Sequence, residues 1–216
     1  MKDILCYGDS NTYGFNPENN GRYDYDKRWT GIMQNILGNK YRVIEEGLNS
    51  RTTVLDDPYY DDIKNGKTYF PACIKSHYPL DLIIIMLGTN DLKEKFHVSP
   101  CDVAKGAAIL TKMALDITAE KSLTNIPSKV LLVSPIHIGE GINTSQSGEE
   151  FGYMRSYELS RNLAKNYEIV AKELKVEFID ASLITKASEI DSLHLSEEGH
   201  KLLGEALAKR CIEILS

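Results

Sequence analysis

The stretch Leu80-Asp81-Leu82-Ile83-Ile84-Ile85-Met86-Leu87-Gly88-Thr89-Asn90-Asp91 decides the fold. Its apolar run, Leu82 to Leu87, has no polar alternation, so both faces of the strand it predicts must be covered, as in the middle of a parallel sheet layered by helices. Working outward, four more short runs rich in Ile, Leu or Val predict strands: Ile4 to Tyr7, Tyr41 to Glu45, Lys129 to Val133 and Val176 to Ile179. Between them, helical periodicity marks segments near Trp29 to Leu37, Pro71 to His77, Pro100 to Lys121, Phe151 to Lys175 and Ser196 to Leu215. Ser196 is placed to cap the last helix, with Glu197 and Glu198 complementing the positive end of its dipole. Asn16 to Tyr25, Asp56 to Lys67 and Gly139 to Gly148 carry turn-forming residues and predict loops. The alternation is that of an α/β protein with a five-stranded parallel sheet. No repeat, low-complexity tract or break in composition divides residues 1–216, so a single domain is expected.

Lys and Arg number 25 against 31 Asp and Glu, a formal charge of -6. That balance leaves no basic run to neutralise phosphates, which argues against nucleic acid and against an anionic membrane surface as partners. The longest apolar run is far shorter than the roughly 20 residues of a membrane span. The N-terminal stretch Met1 to Tyr7 lacks a secretory apolar core, so a cytoplasmic location is expected. Cys6, Cys73, Cys101 and Cys211 are scattered without ligand spacing and read as free thiols rather than a zinc site.

Ligands of such sheets bind beyond the carboxyl ends of the strands. Four polar clusters fall there: Gly8-Asp9-Ser10-Asn11-Thr12-Tyr13-Gly14, Glu46-Gly47-Leu48-Asn49-Ser50-Arg51-Thr52-Thr53, Gly88-Thr89-Asn90-Asp91, and Asp191-Ser192-Leu193-His194. A serine hydroxyl is a weak nucleophile until an imidazole takes its proton, and the imidazole needs a third group to fix its tautomer. Ser10, His194 and Asp191 can fill these roles, although Ser and Asp after a strand also serve as turn formers and five histidines dilute any single one. Asn90 offers a side-chain amide to an oxyanion, with backbone N–H groups of Ser10 and of the Gly47 to Arg51 loop beside it. The acidic stretch Asp56-Asp57-Pro58-Tyr59-Tyr60-Asp61-Asp62 lacks the alternating spacing of a calcium loop and reads as a solvated loop; Tyr59, Tyr60 and Tyr69 are candidates for a carbohydrate- or acyl-binding rim. Gly-x-x-x-x-Gly-Lys, Gly-x-Gly-x-x-Gly and His-Glu-x-x-His are all absent.

Taken together, Gly8-Asp9-Ser10, Gly88-Thr89-Asn90-Asp91 and Asp191-x-x-His194 with Leu195 and Gly199 resemble the blocks of the SGNH, or GDSL, hydrolases. Arg28-Trp29-Thr30-Gly31, Val43 to Leu48, Arg51-Thr52-Thr53, Asp56-Asp57-Pro58 and Leu80 to Asp91 resemble its small intracellular arylesterase, acyltransferase and acetyl-xylan esterase branch. The resemblance implies a three-layer α/β/α flavodoxin-like fold and neither metal nor cofactor. The Gly-x-Ser-x-Gly elbow of the α/β-hydrolases is missing. It further implies Ser10 as nucleophile, His194 as base, Asp191 as its orienter, and Ser10, Ser50 and Asn90 as oxyanion donors. Ser50 stands where the family has glycine, when aligned on Arg51-Thr52-Thr53; Gly47 is the alternative. Asn11 stands where the family usually has leucine and is expected at the pocket edge. Tyr13, Phe15, Trp29 and the loop around Ile136 to Ile138 are expected to shape a narrow acyl pocket. The expected activity is hydrolysis of short-chain, acetyl esters of saccharides, aryl or alkyl alcohols, with acyl transfer to alcohols beside it, by a homo-oligomer. The alternatives are a lysophospholipase or thioesterase, and a catalytically silent carbohydrate-binding relative.

Overall fold

The computed structural model describes residues 1–60 and 62–216; Asp61 of the acidic stretch lies outside them. Five strands, β1 (Lys2–Gly8), β2 (Tyr41–Gly47), β3 (Leu82–Met86), β4 (Lys129–Ser134) and β5 (Glu177–Asp180), form a parallel sheet in the order β2-β1-β3-β4-β5. The order reverses at β1, whose last residue Gly8 registers with Gly47 of β2 and Met86 of β3. The direction in which successive strands are added therefore reverses next to the end of β1, which is where a crevice opens in such sheets.

Helices α1 (Ser10–Tyr13), α2 (Trp29–Leu37), α3 (Gly66–His77) and α4 (Pro100–Lys121) are followed by α5 (Gly148–Phe151), α6 (Met154–Ser160), α7 (Leu163–Leu174) and α8 (Glu197–Leu215). Strand periodicity divides the core in two. Leu5, Tyr7, Ile83, Ile85 and Leu132 pack with side chains of α3, α4 and α7, whereas Ile4, Cys6, Ile84, Leu131 and Val133 pack with α2 and α8. Ile83, Ile84 and Ile85 are wholly buried, each contributing about 1.5–3 kcal/mol of apolar transfer, which is why an unbroken apolar run marks the middle of the sheet. The result is the three-layer α/β/α arrangement expected from the sequence.

Three expectations change. The segment Phe151 to Lys175 is not one helix: Gly152 ends α5 in the left-handed conformation (φ 68°), Tyr153 follows at φ 51°, and a second break at Arg161 and Asn162 separates α6 from α7. Helix α3 begins before Pro71, because Asn65 caps it by accepting the Lys67 N–H at 3.0 Å, and Pro71 lies inside it. Within the predicted loop Asn16 to Tyr25, Phe15–Asn16 and Gly21–Arg22 pair as a short antiparallel ribbon. Ser196 caps α8 as expected, accepting from the Gly199 N–H at 3.1 Å. Among the described residues no helix is long and apolar enough to cross a membrane.

Candidate active site

Directly after β1 the chain turns at Asp9, whose carboxylate accepts the Asn11 N–H at 3.0 Å and caps the single turn of α1. Ser10 opens that turn. His194 comes from the loop before α8, where Ser192 at φ 62° bends the backbone back on itself. The two meet: His194 Nε2 lies 2.8 Å from Ser10 Oγ. On the far side of the ring, Nδ1 is 2.5 Å from Asp191 Oδ2, while Asp191 Oδ1 accepts the N–H groups of Leu193 and His194 at 3.0 Å each. Burial pushes the Asp191 carboxyl up, but the His194 hydrogen bond and charge and the two N–H donors outweigh it and hold it below the usual carboxylate range. Asp191 is thus an anion with both oxygens occupied, and it fixes one tautomer of His194.

Asn90 follows β3, and its Nδ2 donates to the Arg51 carbonyl at 3.2 Å, which leaves the amide's second N–H unengaged by that bond. Arg51 is itself buried, its Nη1 donating to the carbonyls of Gly8 (2.8 Å) and Glu46 (2.5 Å) and its guanidinium stacked 4.1 Å over the Tyr7 ring. Ser50 sits at φ 64°. A cavity of about 230 Å³ is lined by Ser10, Phe15, Ser50, Asn90, Leu193 and His194, with the Phe15 ring 4.3 Å from that of His194. Gly47 does not reach the cavity. A Cβ there would stand 2.1 Å from the Tyr13 nitrogen, so Gly47 is the point where β2 passes under α1.

Below the cavity, Asp9 and Asp91 are buried, and burial pushes both carboxyls up to about 6; Thr53, donating from both N–H and Oγ1 to Asp91, offsets part of that cost. The remaining wall comprises Asn49, Thr89, Lys93, Ser147, Glu150 and Phe151. Asn49 and Thr89 fall within the polar clusters read from sequence, whereas the other four were not anticipated. Lys93 is only 2% exposed, with its ammonium 2.9 Å from Glu150 Oε1. Lys93 lies three residues after Asn90, a signal of proximity in sequence. Ser147 to Phe151 carried no signal, because nothing local ties α5 to this rim.

Four residues expected in the acyl pocket lie elsewhere. Trp29 is fully buried at the start of α2, its indole donating to the Asn11 carbonyl at 3.1 Å. Ile136 packs in the core between the sheet and α8. Tyr13 turns outward beneath the Arg22 guanidinium, 4.1 Å from its ring. Asn11 is buried beneath the His194 loop rather than at the pocket edge, donating to Leu193 O at 3.3 Å and accepting from Leu195 N at 2.9 Å. Among the described residues, Glu46, Cys73 and His77 have ligand-type atoms within 4.8 Å of one another. His77 Nε2 is already paired with Glu46 at 2.9 Å, and burial pushes the Cys73 thiol up to about 12, so this group is satisfied as a hydrogen-bonded cluster and its thiolate is disfavoured.

A parallel sheet of this order, with hydroxyl, imidazole and carboxylate in line above its carboxyl edge, is the build of an SGNH hydrolase. The model of the GDSL-like lipase/acylhydrolase family matches residues 6–202, and the chain belongs to that family. It is accordingly a carboxylic ester hydrolase. A carbohydrate acetylesterase from Sinorhizobium meliloti is 39% identical and superposes with a TM-score of 0.91 over 99% of this chain and 100% of its own. An aryl esterase of M. smegmatis is 37% identical with a TM-score of 0.91 over 100% of both chains. A second carbohydrate acetylesterase family member from Sinorhizobium meliloti is 33% identical, TM-score 0.89, covering 100% of this chain and 99% of that one. No functionally curated protein sequence matches the chain.

Proposed function

We propose that the protein removes short acyl groups, acetyl above all, from esters of saccharides, aryl or alkyl alcohols through an acyl-enzyme on Ser10. The observation that carries this reading is the unbroken line from Asp191 through His194 to Ser10 Oγ, with separations of 2.5 and 2.8 Å. Ser10 Oγ attacks the ester carbonyl as His194 Nε2 takes its proton, and Asp191 stabilises the imidazolium that forms. The tetrahedral oxyanion is held by the N–H groups of Ser10 and Ser50 and the Asn90 amide. Collapse breaks the carbon–oxygen bond to the alcohol, which leaves with the proton from His194. A water, or an acceptor alcohol, then gives its proton to His194, attacks the acyl-enzyme, and releases the acid or a new ester while Ser10 recovers its proton.

Cavity size favours small acyl groups. About 230 Å³, walled by Phe15 and Phe151, is below the roughly 300–1,000 Å³ of pockets that engulf drug-sized ligands, which disfavours the long-chain lysophospholipase or thioesterase reading. Similar proteins include a carbohydrate acetylesterase and an aryl esterase, which supports an acetyl or other small acyl group. A cytoplasmic homo-oligomer completes the reading, with sedimentation as its check.

Labelling with a serine-directed phosphonate followed by peptide mapping tests the chemistry. Modification of Ser10 in the folded wild type, and its loss in His194→Ala, is the expected result; an unmodified Ser10 sinks the proposal in favour of a silent binding relative. A panel of acetylated xylo-oligosaccharides against aryl and alkyl acetates then assigns the alcohol.

A further inference from the structure

We propose that Asn11 is a positioning residue that locks the imidazole of His194 onto Ser10, an inference that rests on the acyl-enzyme reading above. Asn11 is adjacent in sequence to Ser10, yet its side chain is spent entirely on the other end of the chain. Its Nδ2 donates to Leu193 O at 3.3 Å and its Oδ1 accepts from Leu195 N at 2.9 Å. Those two backbone groups flank His194. Opposite ends of one planar amide are thus bonded to opposite sides of the base, and the donor and acceptor required leave only one orientation of the amide.

The backbone of Asn11 is fixed as well. Its N–H is held by the Asp9 carboxylate at 3.0 Å and its carbonyl by the Trp29 indole at 3.1 Å. Position 11 therefore has four hydrogen bonds, two anchoring it to the nucleophile's turn and the core and two reaching the base's loop. Asp191 sets which way the His194 ring faces through Nδ1, but Asp191 is in the same loop as the ring, three residues before it. Asp191 cannot fix the distance from that loop to Ser10. Asn11 can, because it crosses from one element to the other.

Leucine, similar in size, can fill the space but supplies neither bond. Asn11 shares the lining of a small void with Asp9, Thr89 and the apolar side chains of Met86, Ile136, Leu195 and Leu203, so the space accepts Asn11→Leu while the substitution removes the lock. A misplacement of even 1 Å between reacting groups can cost about 10²-fold in rate. The test measures kcat and KM for an aryl acetate, together with the downfield proton NMR signal of His194 Nδ1–H, in wild type, Asn11→Leu and Asn11→Asp. Expected are a fall in kcat of about 10- to 100-fold, KM little changed, circular dichroism unchanged, and a broadened His194 signal. Asn11→Asp keeps the acceptor for Leu195 and loses the donor to Leu193, and so tests the clamp without a change of shape. Unchanged kcat and an unchanged His194 signal in both variants overturn the proposal. Slow exchange of the Asn11 side-chain amide protons in the wild type is a further requirement, and fast exchange counts against the lock even should both variants fail to fold. If the wild type itself resists the phosphonate, the esterase reading falls, while the NMR signal still decides whether Asn11 holds His194.

Discussion

His200 should make the protein acid-sensitive by an amount that a single substitution reveals. Its ring is fully buried, its Nδ1 accepts the Trp29 N–H at 3.3 Å at the start of α2, and its Nε2 has no partner among the described residues. Burial, with the nearby positive charges of His194 and Arg28 adding to it, pushes its pKa down to about 3, against about 6.5 in an unfolded chain. Between these values the unfolded state carries the extra proton, so the stability the neutral ring provides is complete above about pH 6.5 and is lost as pH falls toward 3. The loss is about 1.4 kcal/mol per pH unit, hence about 2 kcal/mol on going from pH 6.5 to 5. Asp9 and Asp91 act in the opposite sense. Their folded pKa values of about 6 lie above those of unfolded carboxyls, so their contribution is fully present at low pH and is lost as pH rises through 6. The wild-type pH profile is therefore a partial cancellation. His200→Asn isolates the histidine, since its side-chain oxygen can replace Nδ1 as acceptor and does not titrate. Removing the ring lowers stability at pH 7 by about 1–3 kcal/mol, and urea denaturation from pH 7 to 5 should show the wild type losing about 2 kcal/mol relative to the variant. A constant gap across that range would refute the neutral, buried assignment of His200.

Two further substitutions probe the site itself. Asp191→Asn turns a carboxylate that accepts from Nδ1 into an amide able to favour the wrong tautomer, so kcat for an aryl acetate and the rate of phosphonate labelling should both fall by about 10⁴-fold at neutral pH with KM little changed; near-normal turnover would remove Asp191 from the relay. Ser50→Gly keeps the backbone N–H and relieves a left-handed conformation at φ 64°, so stability should change by no more than about 1 kcal/mol and kcat by less than about threefold, since only the N–H is required of that position. A tenfold loss in that variant would assign work to the Ser50 hydroxyl.

The sheet was legible because burial on both faces leaves a run such as Leu82 to Leu87 with no alternative partner. The candidate site was legible for a related reason: Ser10 and Asn90 follow directly from strand ends and Asp191 and His194 directly precede α8, so their chemistry is written next to the elements that carry it. What could not be read depends on partners distant in sequence. Trp29 lies within a stretch that resembles the family and Ile136 just beyond a strand end, yet helix and sheet packing turn them into the core. Apolar and charged residues continue at helical spacing through Gly152 and Tyr153, so periodicity missed a break set by two left-handed backbone conformations. Asn11 reads as a pocket-edge residue until its partners, more than 180 positions away, are known.

The distances at the rim are set by buried hydrogen bonds between loops more than by apolar packing. One lock joins the nucleophile's turn to the base's loop through Asn11. A second joins the oxyanion donors, since Arg51 binds the end of β1 through Gly8 O and the end of β2 through Glu46 O, while its own carbonyl orients Asn90. Hydrophobic contacts tolerate small shifts because they are not directional, whereas a buried donor or acceptor left unpaired costs about 1–3 kcal/mol. The two locks attach to adjacent residues where β1 passes into α1, Arg51 to the Gly8 carbonyl and Asn11 to the Asp9 carboxylate, so displacement of either loop strains the turn that carries Ser10. Arg51→Lys would keep the charge and lose the planar guanidinium that stacks on Tyr7 and aims Nη1 at both carbonyls. Arg51→Lys and Asn11→Leu should thus depress kcat by different routes, the first by loosening the oxyanion donors and the second by loosening the base. If the locks are independent, the double variant's loss in log kcat equals the sum of the single losses; coupling through the shared turn makes the double loss smaller than that sum.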